Sequence, residues 1–558
     1  MPTLLEQVAA KLAYLHARRV YARFAHALQH VEAAQQRVLQ RVLPLVRGSE
    51  FGRQHDLAAV RTTGDLRRAV PLLTYEDYRP YIERLCDGDA QALFSPGQRI
   101  LMFATTSGTT AQPKRIPVTP AFVQDYRRGW NTFGLRMLAD HPRAILRAIL
   151  QSSGRYDDGT TAAGIPYGAI TGLLARTQKR IVRRFYVGPP EVADLDDPQA
   201  RYYTLMRLGL GRDVAFAITA SPATLIQMAR TANEFSEDIV RDVRDGTLAA
   251  QIVTPAALRQ RLSAGLRPDP ARAQRLAHLR EQHGALRPRD CWQLEFLACW
   301  TGGSMGYYLQ RLADWWGPAP VRDIGLLASE GRVSIPLDDD TPVGVLDVTS
   351  AVFEFIPAES AEAGAAPTLG PCEVQVGRDY AVVLTNTSGL LRYRLGDVVR
   401  VHGWLHQAPL VEFLYRAGRT ASIAGEKLTE NQVVAAVKAV REALGLPEFD
   451  FVLAPCWDDP PYYRLTCSCP PVEHIPRALD QALGEQNEEY DSRRKSARLG
   501  PLRIRTISAE AIRAMDQRLA LARQGTAEQY KRPCLFVSPG SDDQALGMLG
   551  EKPPARMT

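Results

Sequence analysis

The sequence has no long apolar run at its start. Residues 1–43 mix Leu, Ala and Val with Arg, Lys, His and Gln at helical spacing, a pattern that predicts an amphipathic helix and neither a signal peptide nor a membrane span. Cysteine is also scarce, at eight of 558 residues. Cys467 and Cys469 have no second pair or histidine at metal-site spacing. We therefore expect a cytoplasmic protein in which Cys467 and Cys469 are core thiols.

A strong excess of one charge is missing as well. Lys and Arg number 68 against 61 Asp and Glu, a net charge of +7. This balance suits a small anionic ligand and does not indicate a nucleic-acid-binding surface. Basic clusters occur at residues 176–184 and 493–505. They carry no interleaved aromatics, so we interpret them as solvated helix faces.

The chain is too long for one ordinary core. Strand-like runs that end in Gly, Ser or Glu alternate with helical segments, which predicts an α/β fold. Alternating patterns between residues 352 and 401 predict an antiparallel subdomain within it. Glycines 418 and 425 resemble hinge positions ahead of a compact C-terminal unit. We predict a large multilayer N-terminal domain over residues 1–420 and a small, mobile α+β domain over residues 421–558.

The stretch Thr-Thr-Ser-Gly-Thr-Thr-Ala-Gln-Pro-Lys at residues 105–114 follows an apolar run, 100–104, that predicts a buried strand. Its hydroxyls, the backbone N–H groups near Gly108 and the ammonium of Lys114 are the donors that a polyphosphate needs. The GxxxxGK[ST] spacing of a P-loop is missing. A hydroxyl-rich surface turn that binds nothing is the alternative interpretation.

Four later residues offer further nucleotide contacts. Gly302 and Gly303 follow the predicted buried strand 294–300, and glycines there let a flat ring approach the backbone. Glu330 follows the predicted strand 321–327, at the sheet edge where α/β folds bind ligands. Asp397 is a carboxylate able to accept two ribose hydroxyls. An alternative interpretation is that Gly302, Gly303 and Glu330 are ordinary loop residues that bind nothing.

Several motifs in order resemble one family. They are Thr-Ser-Gly-Thr-Thr at 106–110, Ser-Glu-Gly at 329–331, Phe-Glu-Phe-Ile-Pro at 353–357, Tyr-Arg-Leu-Gly-Asp-Val-Val-Arg at 393–400, Gly-Glu-Lys at 425–427 and Gln-Tyr-Lys at 529–531. The first resembles the nucleotide loop of the adenylate-forming superfamily, with Ala111 where glycine is usual. Together they resemble the Gretchen Hagen acyl-acid amido synthetases, in a bacterial form, over nearly the whole chain.

The resemblance implies a two-step ligation that uses ATP and Mg²⁺. A carboxylic acid forms an acyl-adenylate and pyrophosphate, the small domain rotates, and an amine, typically of an amino acid, displaces AMP. The implied ATP contacts are Thr106, Ser107, Gly108, Thr109, Thr110 and Lys114 for the phosphates, Gly302 and Gly303 for adenine, Asp397 for ribose, and Ser329. Glu330 is the implied metal ligand and a catalytic residue. Arg419, Lys427 and Lys531 are the implied cations that reach the α-phosphate, and Lys427 and Lys531 are also assigned as catalytic.

Two alternative functions remain at this point. An acyl-CoA synthetase shares the first half-reaction and differs in its thiol acceptor. A binding protein would keep the ATP site without turnover. We expect the acid pocket to be lined by the helix after Pro120, the Gly-rich run 152–174 and the residues around Ser221 and Met305. The sequence does not identify the acid, the amine or the oligomeric state.

Overall fold

The computed structural model describes residues 4–106, 114–253, 255–361, 366–416, 420–424, 426, 428–469, 474–495, 499–522 and 532–547. These residues form two compact units, which divide between Phe413 and Leu414. Within the described ranges, no helix is both long enough and apolar enough to cross a membrane.

The first unit is rich in helices as well as strands. Its helices are α1 (Leu4–Gln29), α2 (Val31–Val46), α3 (Glu50–Gln54), α4 (Thr63–Ala69), α5 (Tyr75–Cys86), α6 (Pro120–Asp140), α7 (Ile170–Arg176), α8 (Arg180–Arg183), α9 (Pro198–Leu210), α10 (Pro222–Glu234), α11 (Ser236–Asp245), α12 (Ala256–Ser263), α13 (Pro270–His283), α14 (Pro288–Cys291) and α15 (Gly306–Trp316).

The strands that begin in this unit are β1 (Met102–Thr106), β2 (Lys114–Val118), β3 (Ala148–Gln151), β4 (Gly159–Thr160), β5 (Pro166–Gly168), β6 (Val214–Ile218), β7 (Phe296–Cys299), β8 (Val321–Asp323), β9 (Leu327–Ala328), β10 (Gly331–Arg332), β11 (Ser334–Pro336), β12 (Gly344–Leu346), β13 (Ala351–Pro357), β14 (Asp379–Asn386), β15 (Tyr393–Leu405) and β16 (Ala408–Arg416). β16 carries the chain from the first unit into the second.

These strands build three main sheets. The orders are β2-β1-β5-β4, β3-β6-β7-β8 and β11-β12-β16-β15-β14-β13, with β9 and β10 as a separate pair. The sheet β3-β6-β7-β8 is parallel throughout. Its residues divide between two hydrophobic clusters, with Phe216 and Ala298 in one and Leu150 and Leu297 in the other. A parallel sheet buried on both faces confirms the predicted α/β class.

Helix α2 shows how sequence spacing fixes one of these layers. Val31, Val38 and Val42 are completely buried at positions that share one helical face, and this face packs against β13 and β14. Gln35 is also buried, and its Nε2 donates to the carbonyls of Val348 and Ala351 at 2.9 and 2.8 Å. The amide therefore satisfies backbone groups where the strand β13 begins.

The second unit is a smaller α+β assembly. Its strands are β17 (Thr420–Ala421), β18 (Leu428–Thr429), β19 (Phe451–Cys456), β20 (Tyr462–Cys467) and β21 (Arg503–Thr506), and its helices are α16 (Glu430–Ala443), α17 (Ile475–Gln486), α18 (Glu488–Lys495), α19 (Ala509–Ala522) and α20 (Ser541–Leu546). The sheet has the order β19-β20-β21. Asp542 of α20 is completely buried and accepts two 2.7 Å hydrogen bonds from Arg464 of β20, which ties that helix to the sheet.

A break separates α17 from α18, because Asn487 leaves the helical conformation at φ −145° and its side chain donates to the Glu426 carbonyl at 3.0 Å. The interpretation of one basic cluster from the sequence was wrong. The basic cluster at 493–505 is not a freely solvated face. Arg494 pairs with Asp480 at 2.8 Å and Arg505 pairs with Asp543 at 2.6 Å.

The cysteines behave largely as core thiols. All eight are free, seven are buried, and Cys372 is exposed. The prediction for Cys467 and Cys469 is confirmed, since both are buried. Burial raises the pKa of the Cys467 thiol to about 11, so this group is a protonated, unreactive thiol at neutral pH.

Candidate active site

The hairpin of β1 and β2 carries the predicted phosphate loop. Met102, Phe103 and Ala104 are completely buried, which fixes β1 in the core. Thr106 lies opposite Lys114 in the antiparallel register, so both ends of the loop are held together. The other hydroxyl and glycine positions of the loop lie outside the described residues: Ser107, Gly108, Thr109 and Thr110.

Tyr75 supports the second strand of this hairpin. The Lys114 ammonium lies 5.3 Å from the centroid of its ring, within cation–π range. The Tyr75 hydroxyl oxygen accepts a 2.9 Å hydrogen bond from the Arg115 backbone N–H. Burial raises the pKa of Tyr75, so its hydroxyl stays protonated at neutral pH. Tyr75 therefore helps to position the backbone and the ammonium group of Lys114.

Ser329 and Glu330 lie beside the hairpin. The Ser329 hydroxyl donates to the Thr105 carbonyl at 3.2 Å, and the Glu330 side chain is almost completely buried. Glu330 Oε1 accepts from the Tyr393 hydroxyl at 3.2 Å, and its backbone carbonyl accepts from the Asn386 amide. These bonds hold the Ser-Glu turn between β1 and the strands β14 and β15.

Asp397 lies in a bulge of β15. The register of β14 and β15 shifts so that Ala381 faces Val398 and Val383 faces Arg394. Residues 395–397 therefore stand opposite a single partner, and Gly396 takes the positive φ of +83° that such a bulge requires. The Asp397 side chain is mostly buried. A bulge re-aims the side chains that it carries, which suits a ligand contact at Asp397.

The turn after β7 holds the two glycines predicted for adenine. Gly303 has a φ of +58° and opens a short 3₁₀ helix, Gly303–Met305. Both the backbone N–H and the hydroxyl of Thr301 donate to Asp323 Oδ2, at 2.6 and 2.7 Å. Burial raises the pKa of Asp323, against hydrogen bonds from Thr301, Gly325 and Gly302 that lower it. A buried carboxylate thus anchors this turn.

Two of the residues expected near the acid pocket are neighbours. The Ser221 hydroxyl contacts the Met305 sulfur at 4.0 Å, and both side chains are buried. Ser221 also caps α10 by accepting from the Ala223 N–H at 3.3 Å. The contact joins the carboxyl ends of β6 and β7, the strands that precede these residues.

In the second unit, Glu426 is a completely buried carboxylate. Its two oxygens accept the backbone N–H groups of Ile423 and Ala424, each at 2.8 Å. The Tyr463 hydroxyl also donates to it. Glu426 thereby fixes the segment that leads to β18. The cations predicted in this part of the chain, Arg419, Lys427 and Lys531, lie outside the described residues.

Three family models match successive parts of this chain. The GH3 family N-terminal domain matches residues 20–321, which is more than half of the chain. The central domain matches residues 344–416 and the C-terminal domain matches residues 431–539. The chain belongs to the GH3 family. The large first unit thus combines an N-terminal and a central GH3 domain.

Similar proteins agree with this assignment. This GH3 chain is 27% identical over 554 residues to the jasmonoyl–L-amino acid synthetase GH3.5 of Oryza sativa subsp. japonica, with 92% of this chain and 94% of the relative covered. It is 24% identical over 544 residues to the indole-3-acetic acid-amido synthetase GH3.8 of Oryza sativa subsp. indica, with 91% and 89% covered. The solved GH3.15 acyl acid amido synthetase matches with a TM-score of 0.82 over 95% of both chains, at 20% identity.

These comparisons test the main predictions from sequence. The resemblance to the Gretchen Hagen amido synthetases is confirmed by GH3 membership. The α/β fold with a smaller C-terminal part is confirmed by the match to GH3.15. The predicted reaction class, an amide-forming ligase of the adenylate-forming, ATP-using type, is confirmed at the level of the family.

The described residues of this GH3 protein contain no group of three or more His, Cys, Asp or Glu side chains able to hold a metal ion. Glu330 is a single carboxylate with one oxygen on Tyr393. Mg²⁺ commonly takes one or two carboxylates together with phosphate oxygens of the substrate. The donor set at Glu330 therefore fits a metal that arrives with ATP, and does not fit one held by protein alone.

Two predicted residues, Ser329 and Glu330, lie close in sequence to the unpredicted Asp323. Ser329 reaches the hairpin, Glu330 reaches β15, and Asp323 reaches the turn that precedes Gly302. The sequence reasoning missed Tyr75 and Asp323. It placed Asp323 inside a strand over residues 321–327, whereas β8 ends at Asp323. The glycine two residues later was the signal for this earlier strand end.

Proposed function

We propose that this GH3 protein activates a carboxylic acid with ATP and transfers the acyl group to an amino acid. The observation that carries the proposal is the 3.2 Å hydrogen bond from the Ser329 hydroxyl to the Thr105 carbonyl. It sets the buried Glu330 beside the strand that leads into the predicted phosphate loop. An acidic side chain next to a polyphosphate site is what Mg²⁺-ATP chemistry needs.

In the first step, a carboxylate oxygen of the acid attacks the α-phosphorus of ATP, and the bond to pyrophosphate breaks. Charge builds on the phosphate oxygens, so preorganised donors and cations lower the barrier. We assign the phosphates to Thr106, Ser107, Gly108, Thr109, Thr110, Lys114 and Ser329. Gly302 and Gly303 receive the adenine and Asp397 the ribose hydroxyls. The pairing of β1 with β2 holds both ends of the loop, which supports the assignment of the loop to the phosphates.

Glu330 is the residue that would hold Mg²⁺. Its Oε1 accepts the Tyr393 hydroxyl, while Oε2 accepts no hydrogen bond from the described residues. Bound there, the metal would neutralise charge on the phosphate oxygens. Tyr393 fixes the carboxylate and so orients the remaining oxygen.

In the second step, the amine nitrogen attacks the acyl carbonyl carbon, the bond to AMP breaks, and the amine releases a proton. Orientation of the bound amine supplies most of the acceleration. The proposed cations at the α-phosphate are Arg419, Lys427 and Lys531. The proposed mobile domain is the C-terminal part of the chain, with the boundary that we predicted from the sequence at residues 420/421. An amino acid is the proposed acceptor because the relative GH3.5 is a jasmonoyl–L-amino acid synthetase and the relative GH3.8 is an indole-3-acetic acid-amido synthetase.

Two further parts of the proposal concern the protein's setting. We place it in the bacterial branch of the family, as the resemblance of its sequence motifs implies. We place it in the cytoplasm, since all eight of its cysteines are free and a reducing compartment keeps them so. Its partners are then a carboxylic acid, ATP and an amino acid, with no nucleic acid or membrane.

The proposal is tested by acid-dependent pyrophosphate release. Purified protein receives Mg²⁺-ATP, a panel of aromatic, fatty and short-chain acids, and hydroxylamine as a generic amine trap. We expect release with one class of acid and formation of its hydroxamate, and then an amide when amino acids replace hydroxylamine. A thioester formed preferentially with CoA would instead identify an acyl-CoA synthetase. Folded protein that binds ATP but releases no pyrophosphate would be a binding protein.

The roles of the mobile cations have their own test. Lys427→Ala and Lys531→Ala should each slow adenylation by about 10²- to 10³-fold, as loss of one transition-state donor does. Lys438→Ala is the matched control. Lys438 belongs to the same unit and, among the residues that the structure describes, makes only an exposed 3.9 Å ion pair with Glu442, so its variant should adenylate at the wild-type rate. Wild-type rates in both test variants would remove these residues from the site.

A further inference from the structure

Asp323 connects two turns that follow neighbouring strands. Its side chain is 4% exposed. Oδ2 accepts the Thr301 backbone N–H at 2.6 Å and the Thr301 hydroxyl at 2.7 Å, and Oδ1 accepts the Gly325 backbone N–H at 2.6 Å. One carboxylate therefore takes three short hydrogen bonds, from the turn after β7 and from the turn after β8, and a further one from the Gly302 backbone N–H.

The parallel register explains how one side chain reaches both turns. Cys299 lies opposite Asp323 in the pairing of β7 with β8, so the two strands end at the same level of the sheet. The turn after β8 is fixed by its own backbone and also by Trp300, which directly follows β7. Gly325 has a φ of +87°, and a Cβ built there would lie 2.2 Å from the Ser334 carbonyl oxygen. The Gly325 carbonyl also accepts from the Trp300 indole at 3.0 Å.

The turn after β7 depends more on Asp323. It continues from Thr301 into two glycines, which have no side chains to hold them. A Cβ built on Gly302 would lie 3.2 Å from the Phe413 carbonyl oxygen and 3.4 Å from the Pro342 Cβ, so the backbone has little space on that side. The Thr301–Asp323 hydrogen bonds join this glycine turn to the rigid turn at Gly325.

We propose that Asp323 is a positioning residue for the adenine base, which acts by holding Thr301 and thereby the Gly302–Gly303 turn. The inference rests on the proposed function, in which these glycines receive the base of ATP. A turn that is already fixed does not have to be ordered when the nucleotide binds, so affinity rises. Asp323 does not touch the nucleotide itself.

Asparagine at this position removes the clamp with little change in volume. One carboxylate oxygen becomes an NH₂ group, and it must face either Thr301 or Gly325. The backbone N–H of Thr301 or of Gly325 then faces the new NH₂ group and loses its hydrogen-bond acceptor. The link between the two turns is therefore broken at one end. Thr301→Val is a milder change, because it removes the hydroxyl bond and leaves the backbone bond.

Asp242 provides a matched control for simple loss of a buried carboxylate. It is 1% exposed and lies in the same unit. It accepts the Ala249 N–H at 2.6 Å, the Thr247 hydroxyl at 2.8 Å and the Tyr203 hydroxyl at 2.5 Å. None of these partners is a proposed ATP contact. Asp242→Asn should therefore lower stability as Asp323→Asn does, without acting on the nucleotide.

The test compares inhibition by AMP with inhibition by pyrophosphate, which has no base, in the acid-dependent reaction. Asp323→Asn should raise the AMP inhibition constant about tenfold, equivalent to about 1.4 kcal/mol of binding. The pyrophosphate constant should stay within about twofold, and Thr301→Val should shift the AMP constant in the same direction by less. Asp242→Asn should change neither constant.

Two results would overturn this role for Asp323. The first is an equal rise in both inhibition constants, and the second is an AMP constant in Asp323→Asn that equals that of Asp242→Asn. If Asp323→Asn does not fold, Thr301→Val decides by the same comparison. A wild-type protein that releases no pyrophosphate with any acid and does not bind AMP would overturn the proposed function instead, which the wild-type arm reveals before any variant is compared.

Discussion

Two glycines of the helix α6 allow a paired test of how tightly its buried face is packed. A Cβ added at Gly129 would lie 2.5 Å from Arg332 Cδ, 2.8 Å from Arg332 Nε and 3.2 Å from Asp347 Oδ2. A Cβ added at Gly134 would meet nothing within 4 Å. Glycine costs a helix about 0.5–1 kcal/mol relative to alanine at either position. The two substitutions should therefore act in opposite directions.

The cost at Gly129 follows from how Arg332 is held. Its side chain is buried, and Nη1 donates to the carbonyls of Ile324 and Ser334 at 3.1 and 3.2 Å. Its guanidinium also lies 4.7 Å from the ring centroid of Trp130. Overpacking costs about 1–3 kcal/mol, and weakening one hydrogen bond from a charged donor adds about 1.5 kcal/mol. After the helix gain of about 0.5–1 kcal/mol is subtracted, Gly129→Ala should lose about 1.5–4 kcal/mol.

Urea unfolding followed by tryptophan fluorescence measures both effects. Gly134→Ala should gain about 0.5–1 kcal/mol over the wild type. The cause is tested in an Arg332→Ala background, where the obstructing side chain is gone and Gly129→Ala should lose its penalty. The reasoning fails if Gly129→Ala is as stable as Gly134→Ala, or if its penalty persists when Arg332 is absent.

Two further predictions concern carboxylates that accept hydrogen bonds. Glu426→Gln should leave the N–H of Ile423 or Ala424 without an acceptor and lower the unfolding free energy of the second unit by about 1–3 kcal/mol; unchanged denaturation of that unit would contradict it. For Asp339, burial raises the pKa, but the hydrogen bond and charge of Arg322 hold it below the ordinary value of 3.8. Its stabilisation is thus present above that value and lost as pH falls through the lowered pKa. Asp339→Asn should be less stable than wild type at pH 7 by an amount that shrinks as pH falls below 3.8, whereas a deficit that stays constant would refute the coupling.

Local signals in the sequence were sufficient for much of the fold. The helix predicted after Pro120 is α6, and the Thr119 hydroxyl caps it by accepting the Phe122 N–H at 3.1 Å. The predicted apolar strand after residue 100 is β1, displaced by two residues at Met102. Capping residues and apolar runs act over a few positions, so their spacing is visible in the chain itself.

The arrangement of the site depends on contacts that local spacing does not contain. Ser329 and Thr105 are 224 positions apart, and Glu330 and Tyr393 are 63 apart. The sequence identified Ser329 and Glu330 through a family resemblance and had no means of finding their partners. Asp323 was missed for a different reason. Its role follows from the register of β7 with β8, which pairs residues from distant parts of the chain.

The distribution of thiols offers a natural reporter of which part of this protein opens first. Cys86, Cys291 and Cys299 are buried in the first unit, and the buried thiols of the second unit are Cys456, Cys467, Cys469 and Cys534. A thiol reagent added under native conditions has only Cys372 at the surface. Every other modified cysteine records a transient opening. Mass spectrometry of the modified peptides would therefore assign each opening event to one unit, with no label engineered into the chain.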